Sequence, residues 1–172
     1  MDYQSIIDKY YEDGKLKDIL MTHSQSVTRR ALQIVSLHPE LHLDARFIEE
    51  AAMLHDIGIV RCDAPGIQCF GTEPYLRHGA VGAEMLRAEG FERHARVCER
   101  HTGAGLPGFL PETLEEQVIC YADKFYSKSH LDEEKTIEQA ARSLAKFGEE
   151  GVVRFMKWAE MFEKPLKITG NQ

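Results

Sequence analysis

His55 and Asp56 stand side by side behind the apolar run Ala51-Ala52-Met53-Leu54 and just ahead of Gly58. Imidazole and carboxylate both suit borderline divalent ions. Two such groups at the inner end of a buried helix are costly to desolvate unless a charge holds them. A metal ion is the simplest partner. The competing reading of a lone His-Asp pair is a hydrogen-bonded pair with no ligand, which a motif this short often proves to be. Against it, the chain supplies His23 upstream and His78, His101 and Asp123 downstream, in an orderly series.

Helices must position these groups. Apolar residues recur at three and four, and alternating β-branched runs are absent, so the chain reads as all-α. The segment from Lys15 to about Leu37 places Leu16, Ile19, Leu20, His23, Val27, Ala31, Ile34 and Val35 along one face. His38-Pro39 ends it, because a residue before proline avoids the helical region. Asp44 is expected to cap a helix from Ala45 to Ile57, so that His55 and Asp56 emerge at its C-terminal end, where the helix dipole favours cations. Gly58 reads as its stop signal. From Ile59 to Glu73 little regular pattern is visible, and this stretch reads as a loop forming one wall of a pocket.

A helix is expected from Thr72-Glu73-Pro74 to about Glu89, with Pro74 in its first turn and His78 facing inward. Gly79 and Gly82 imply close packing there. Phe91 to about Thr102 carries His101 on a buried edge, with His94 expected to be exposed. Thr102 to Gly108 reads as a flexible turn and not a phosphate-cradling loop, since no lysine followed by Ser or Thr comes after the glycines. Pro111 opens a helix to about Lys128, in which a mid-helix Asp123 needs a tertiary contact to hold it. A short helix from Tyr3 to about Glu12, and two more from about Glu133 to Phe147 and Glu149 to Glu163 with Trp158 in the core, are expected to cover the bundle.

The 172 residues suit one full-sized domain, and 43% hydrophobic with 28% charged residues is an ordinary globular balance. A formal net charge of -7 offers no bulk attraction to a nucleic-acid backbone. No apolar run is long enough to span a bilayer and the first residues lack the features of a signal peptide, so a cytoplasmic protein is expected. Cys62, Cys69, Cys98 and Cys120 show no C-x-x-C spacing and read as free thiols. Oligomeric state is not legible.

The order His23, His55-Asp56, His78, His101, Asp123, with the central pair in the form His-Asp-Ile-Gly, resembles the HD-domain superfamily of metal-dependent phosphohydrolases. The likeness spans roughly Lys15 to Lys128 and implies a helical HD-type bundle, residues 1–172 forming a single domain whose metal-binding core is about 15–128, with covering helices at about 133–164. Six ligands are too many for one catalytic metal that keeps an open position, but suit two metals sharing a carboxylate. The branch with two extra histidines is similar in this respect. It implies His23, His55, Asp56 and Asp123 around one divalent ion and Asp56, His78 and His101 around the other. Iron is the expected metal, with manganese, zinc, nickel or cobalt as alternatives. A hydroxide between the two ions would be the nucleophile on a small phosphorylated substrate, a nucleotide or other phosphate ester.

Proteins with this motif often continue with a lysine that touches phosphate, whereas Ile59 follows Gly58 here. The acid or phosphate clamp must come from elsewhere, with Arg61, Lys124 and Lys128 as candidates, each weighed against an idle surface charge. A Gly-Tyr-Pro segment typical of cyclic-di-GMP phosphodiesterases is absent, which disfavours that substrate. Two other readings stay open: a di-iron oxygenase of the type resembling myo-inositol oxygenase, and a non-catalytic nucleotide-binding module.

Overall fold

A computed structural model describes residues 1–102 and 109–163. Its frame is eight α-helices among the described residues: α1 (Tyr3–Tyr10), α2 (Lys15–Leu37), α3 (Ala45–Leu54), α4 (His78–Ala88), α5 (Glu92–Arg100), α6 (Leu114–Asp123), α7 (Ile137–Leu144) and α8 (Glu149–Glu163). None is long and apolar enough to cross a membrane.

Local chemistry sets the helix starts. The Asp44 carboxylate accepts from the Phe47 amide at 3.1 Å, as the sequence implies. Thr113 and Thr136 each form a reciprocal capping box, with Glu116 and Gln139. Glu116 is buried, and its carboxylate also accepts from the Glu112 amide at 2.8 Å and the Arg96 guanidinium at 3.0 Å. Burial opposes the charge, but these donors outweigh it and hold the Glu116 pKa below its usual value. A lowered folded-state pKa stabilises above the unfolded value, and the contribution fades as pH falls through the folded one. Glu116→Ala is therefore expected to cost about 1–3 kcal/mol near neutral pH. The gap between wild-type and variant melting temperatures should narrow in acid; a constant gap would contradict the ionic role.

The apolar residues gather in two clusters. One joins Val27, Ala31 and Ile34 of α2 to Phe47, Ile48, Ala51 and Ala52 of α3, Val97 of α5, and the inner faces of α6, α7 and α8, including Tyr121, Phe155, Trp158 and Phe162. The other joins Ile6 and Ile7 of α1 to Leu20, Leu54, Ile57, Ile59, Val81, Met85, Leu86 and Cys98. Single helices contribute to both: Leu20 and Val27 flank His23 on α2, and Ala52 and Leu54 precede His55.

Four expectations are corrected. The stretch after Asp56 is not irregular: a 3-10 turn over Ile57–Arg61 leads to a three-stranded sheet of β1 (Cys62–Ala64), β2 (Cys69–Phe70) and β3 (Glu73–Pro74), ordered β2-β1-β3. Strand β2 runs antiparallel to β1 with Asp63 opposite Phe70, and β3 runs parallel with Cys62 opposite Glu73. Pro74 does not open a helix. It ends an edge strand, where a missing N–H is tolerated, and α4 begins only at His78 after a 3-10 turn over Tyr75–Arg77. Helix α6 stops at Asp123 instead of Lys128, so Asp123 is its last residue and not a mid-helix one. His94 is buried, its Nε2 2.9 Å from a Glu50 oxygen. The turn read over 103–108 lies outside the described residues.

Candidate metal centre

The six residues singled out in the sequence meet in one place. His23 comes from the middle of α2, His55 caps the end of α3, Asp56 follows it, His78 is the first residue of α4, His101 caps the end of α5 and Asp123 closes α6. His23, His55, Asp56 and Asp123 bring one ligand atom each to within 4.8 Å of one another, and so do Asp56, His78 and His101.

Asp56 belongs to both groups and divides its oxygens between them. Oδ2 lies 3.1 Å from His23 Nε2 and 3.0 Å from His55 Nε2, whereas Oδ1 lies 3.3 Å from His78 Nε2 and 3.2 Å from His101 Nε2. Asp123 Oδ1 completes the first group at 2.9 Å from His23 and 3.2 Å from His55. A carboxylate with one oxygen facing each of two donor sets has the form of a bridging ligand.

Backbone carbonyls fix the tautomers. The Nδ1 atoms of His55, His78 and His101 each lie 2.6 Å from a carbonyl three residues earlier, those of Ala52, Tyr75 and Cys98. A carbonyl only accepts, so each Nδ1 carries the proton and donates, and in the neutral ring Nε2 is left as a lone pair. The Nε2 atoms of His78 and His101 are nevertheless 3.0 Å apart. Two acceptors at that distance in a buried site repel unless a cation lies between or beside them. Asp56 Oδ1, buried without a hydrogen-bond donor of its own, faces the same point. The donor set thus fits a divalent cation, since a metal-bound histidine usually donates its other ring N–H to a carbonyl in this way.

Electrostatics agree. Burial opposes ionisation of Asp56 and Asp123, but His55 and Lys128 outweigh it for the first, and Lys124 with His23 and His55 for the second, so both stay well below the usual carboxylate range. His55 differs: burial opposes its charged form, yet the two carboxylates lift its pKa to about 10, so with no cation present this ring holds a second proton between Asp56 and Asp123, which a metal ion would replace. Burial dominates at His101 and pushes it down to about 4, which keeps that ring a lone-pair donor at neutral pH.

The three candidate clamps part company. Lys128 Nζ lies 2.8 Å from Asp56 Oδ2 and its side chain is 11% exposed. Lys124 Nζ donates to the carbonyls of His101 at 2.8 Å and Cys120 at 3.1 Å and is 3.6 Å from Asp123 Oδ2. Arg61 is exposed, its guanidinium 6.0 Å from the Tyr10 ring centre, and is not brought to the cluster. A cavity of about 430 Å³ opens beside Asp123 and Lys128, with Ile67, Tyr75, Tyr126 and Lys135 among its other walls. Sequence reasoning missed Tyr75 and Lys135. For Tyr75 a signal existed, since it precedes His78 by the three residues that place its carbonyl under the ring.

The sequence profile of the HD domain matches residues 20–127, more than half of the chain. The chain is 30% identical over 167 residues to a tRNA (cytidine(56)-2'-O)-methyltransferase of Thermoplasma volcanium, a match covering 84% of this chain and 45% of that protein. It is 28% identical over 155 residues to the enzyme of the same name from Picrophilus torridus, covering 77% of this chain and 41% of the relative. An uncharacterized protein of Methanocaldococcus jannaschii is 32% identical over 118 residues, covering 60% of this chain and 63% of its own length. The chain therefore spans less than half of the two methyltransferases it matches. No solved structure matches it significantly.

Proposed function

The chain belongs to the HD domain family, and on that premise we propose that it is a metal-dependent phosphohydrolase acting on a nucleotide or another small phosphate ester. The observation that carries this reading is the sharing of Asp56 between two histidine-containing groups, in the second of which the Nε2 atoms of His78 and His101 lie 3.0 Å apart. His23, His55, Asp56 and Asp123 would hold one divalent cation, and Asp56, His78 and His101 the other. When bound, such a pair supplies an activated water at neutral pH and positive charge for phosphate oxygens.

The protein's own groups do the rest. Carbonyls of Ala52, Tyr75 and Cys98 hold three imidazoles in orientation, so that little reorganisation is needed when ligand arrives. Lys128 reaches the cavity and Asp56 together, and its neighbouring carboxylates keep it charged against burial. It stands where a phosphate dianion would need a positive group, and takes over the role of the lysine that Ile59 displaces. Lys124, bound to the His101 carbonyl, is proposed to position that ligand and Asp123. Tyr75 stacks on the His78 ring, with centroids 4.4 Å apart, and would hold that ligand's orientation.

The names of the two methyltransferase relatives favour a second substrate reading, in which the phosphate belongs to RNA. More than half of each relative lies outside the match; we assign methyl transfer to those parts. Metal analysis of protein purified without chelator should give about two ions per chain. A phosphate-release screen over nucleotides and tRNA, with iron, manganese, cobalt or nickel added, should show turnover that chelator removes. Oxygen uptake by iron-loaded protein without phosphate release would sink the hydrolase in favour of an oxygenase.

A further inference from the structure

The cavity beside the metal centre holds a cation that the proposed chemistry leaves unused. Among its walls, Lys128 is committed to Asp56 at 2.8 Å. Lys135 is not committed: the residue is half-buried, and its ammonium makes no ion pair or side-chain hydrogen bond with any described residue. Its acidic neighbour Glu134 is taken, bound to Arg30 at 3.0 Å and to the Tyr126 hydroxyl at 2.5 Å. In a chain of net charge -7, a cavity of about 430 Å³ lined by two lysines and a single carboxylate, Asp123, runs against the overall balance.

The backbone holds Lys135 in place. Its amide donates to the Phe125 carbonyl at 2.9 Å, and the next residue, Thr136, caps α7. The intervening turn is closed by a bridge between Ser127 and His130, with the Ser127 and Ser129 hydroxyls 2.8 Å apart. Both serines line the same cavity and offer neutral hydrogen-bonding groups next to Lys135. The walls also include Ala64, Ile67 and Tyr75, an apolar and aromatic surface suited to a flat ring.

Resting on the hydrolase reading above, we propose that Lys135 is a specificity-determining residue: it binds a second anionic group of the substrate, distinct from the phosphate at the metals. The preferred substrate is then a phosphate ester with two separated anionic groups, with an aromatic or apolar portion against Tyr75 and Ile67. A singly phosphorylated nucleoside leaves Lys135 without its partner.

The test compares adenosine 3′,5′-bisphosphate with adenosine 3′- and 5′-monophosphates on the metal-loaded full chain. Calorimetric binding at low temperature is measured for wild type, Lys135→Gln and Lys135→Arg, and KM and kcat wherever turnover occurs. The wild type should bind the bisphosphate about tenfold more tightly than either monophosphate, the scale of one charge-assisted contact. Lys135→Gln should abolish that preference, raising KM for the bisphosphate with kcat within about twofold, and Lys135→Arg should restore it. Equal wild-type affinity for all three ligands, or a Lys135→Gln effect that is the same for all, would overturn the assignment. Because binding needs no turnover, a protein that releases no phosphate defeats the hydrolase reading while this comparison still decides the role of Lys135.

Discussion

Asp56→Asn is expected to reduce phosphate release by more than about a hundredfold and to leave the purified protein short of its metals. The lower bound comes from the 10–100-fold losses that follow removal of groups which merely orient metal ligands; Asp56 touches both groups directly. Its Oδ2 faces His23 and His55 and its Oδ1 faces His78 and His101, so no other side chain removes charge from both halves at once. The amide preserves size and one acceptor but carries no charge. It also strands Lys128, whose ammonium lies 2.8 Å from Oδ2 and is buried. Leaving one partner of a buried pair uncompensated typically costs about 3–5 kcal/mol, so the melting temperature should fall together with the metal content. Elemental analysis separates the two effects: a folded variant by circular dichroism that retains two ions and near wild-type turnover would show that Asp56 is not the shared ligand.

The site was more legible than the framework around it. His23 falls between Leu20 and Val27 on a helical stripe, and that stripe is the inner face of α2. His78 shares its face with Val81, Gly82 and Met85, all buried. Long helices carry their period over several turns, so inward positions can be counted. Strands of two or three residues show no period at all, which is why the sheet over 62–74 reads as a loop, and why Pro74 was assigned to a helix that starts four residues later. His94 is a different failure. The sequence Glu92-Arg93-His94-Ala95-Arg96 looks like a solvated face, yet 94, 97 and 101 share the spacing that buries Val97 and His101. His94 follows them inward to meet Glu50 and the Phe47 ring, whose centroid is 4.8 Å away. Composition outweighed position in that reading. Half of the cavity is legible: the stretch after Gly58 reads as a pocket wall and supplies Ala64, Gly66 and Ile67, whereas the wall near 123–135 is not, because the approach of the two segments depends on long-range packing that no local pattern encodes.

Gly58→Ala should lower the melting temperature by roughly 6–12 °C or more, taking about 3 kcal/mol as the upper end of ordinary overpacking and about 2–4 °C per kcal/mol for a chain of this size. In the sequence this glycine reads as a helix stop, but its φ is not among the positive ones, which among the described residues belong to Gly14, Gly90 and Gly148. Its role is close approach. A Cβ there would lie 2.2 Å from the His78 carbonyl oxygen, 2.5 Å from the Gly82 amide nitrogen and 3.0 Å from the Gly82 Cα. All three are backbone atoms of α4, which cannot swing aside as a side chain would. Gly82 reciprocates, since its own Cβ would meet the Gly58 nitrogen at 3.2 Å. The glycine of the His-Asp-Ile-Gly motif thus lets the turn after Asp56 lie directly on the helix that begins with His78. Pushing the two apart moves His78 away from Asp56 Oδ1, so metal held by Asp56, His78 and His101 should weaken before metal held by His23, His55 and Asp123. Gly66→Ala is the matched control, because a Cβ there meets nothing within 4 Å and no positive φ forbids it. If both alanine variants melt together and keep equal metal, the contact between the turn and α4 is not what the motif glycine is for.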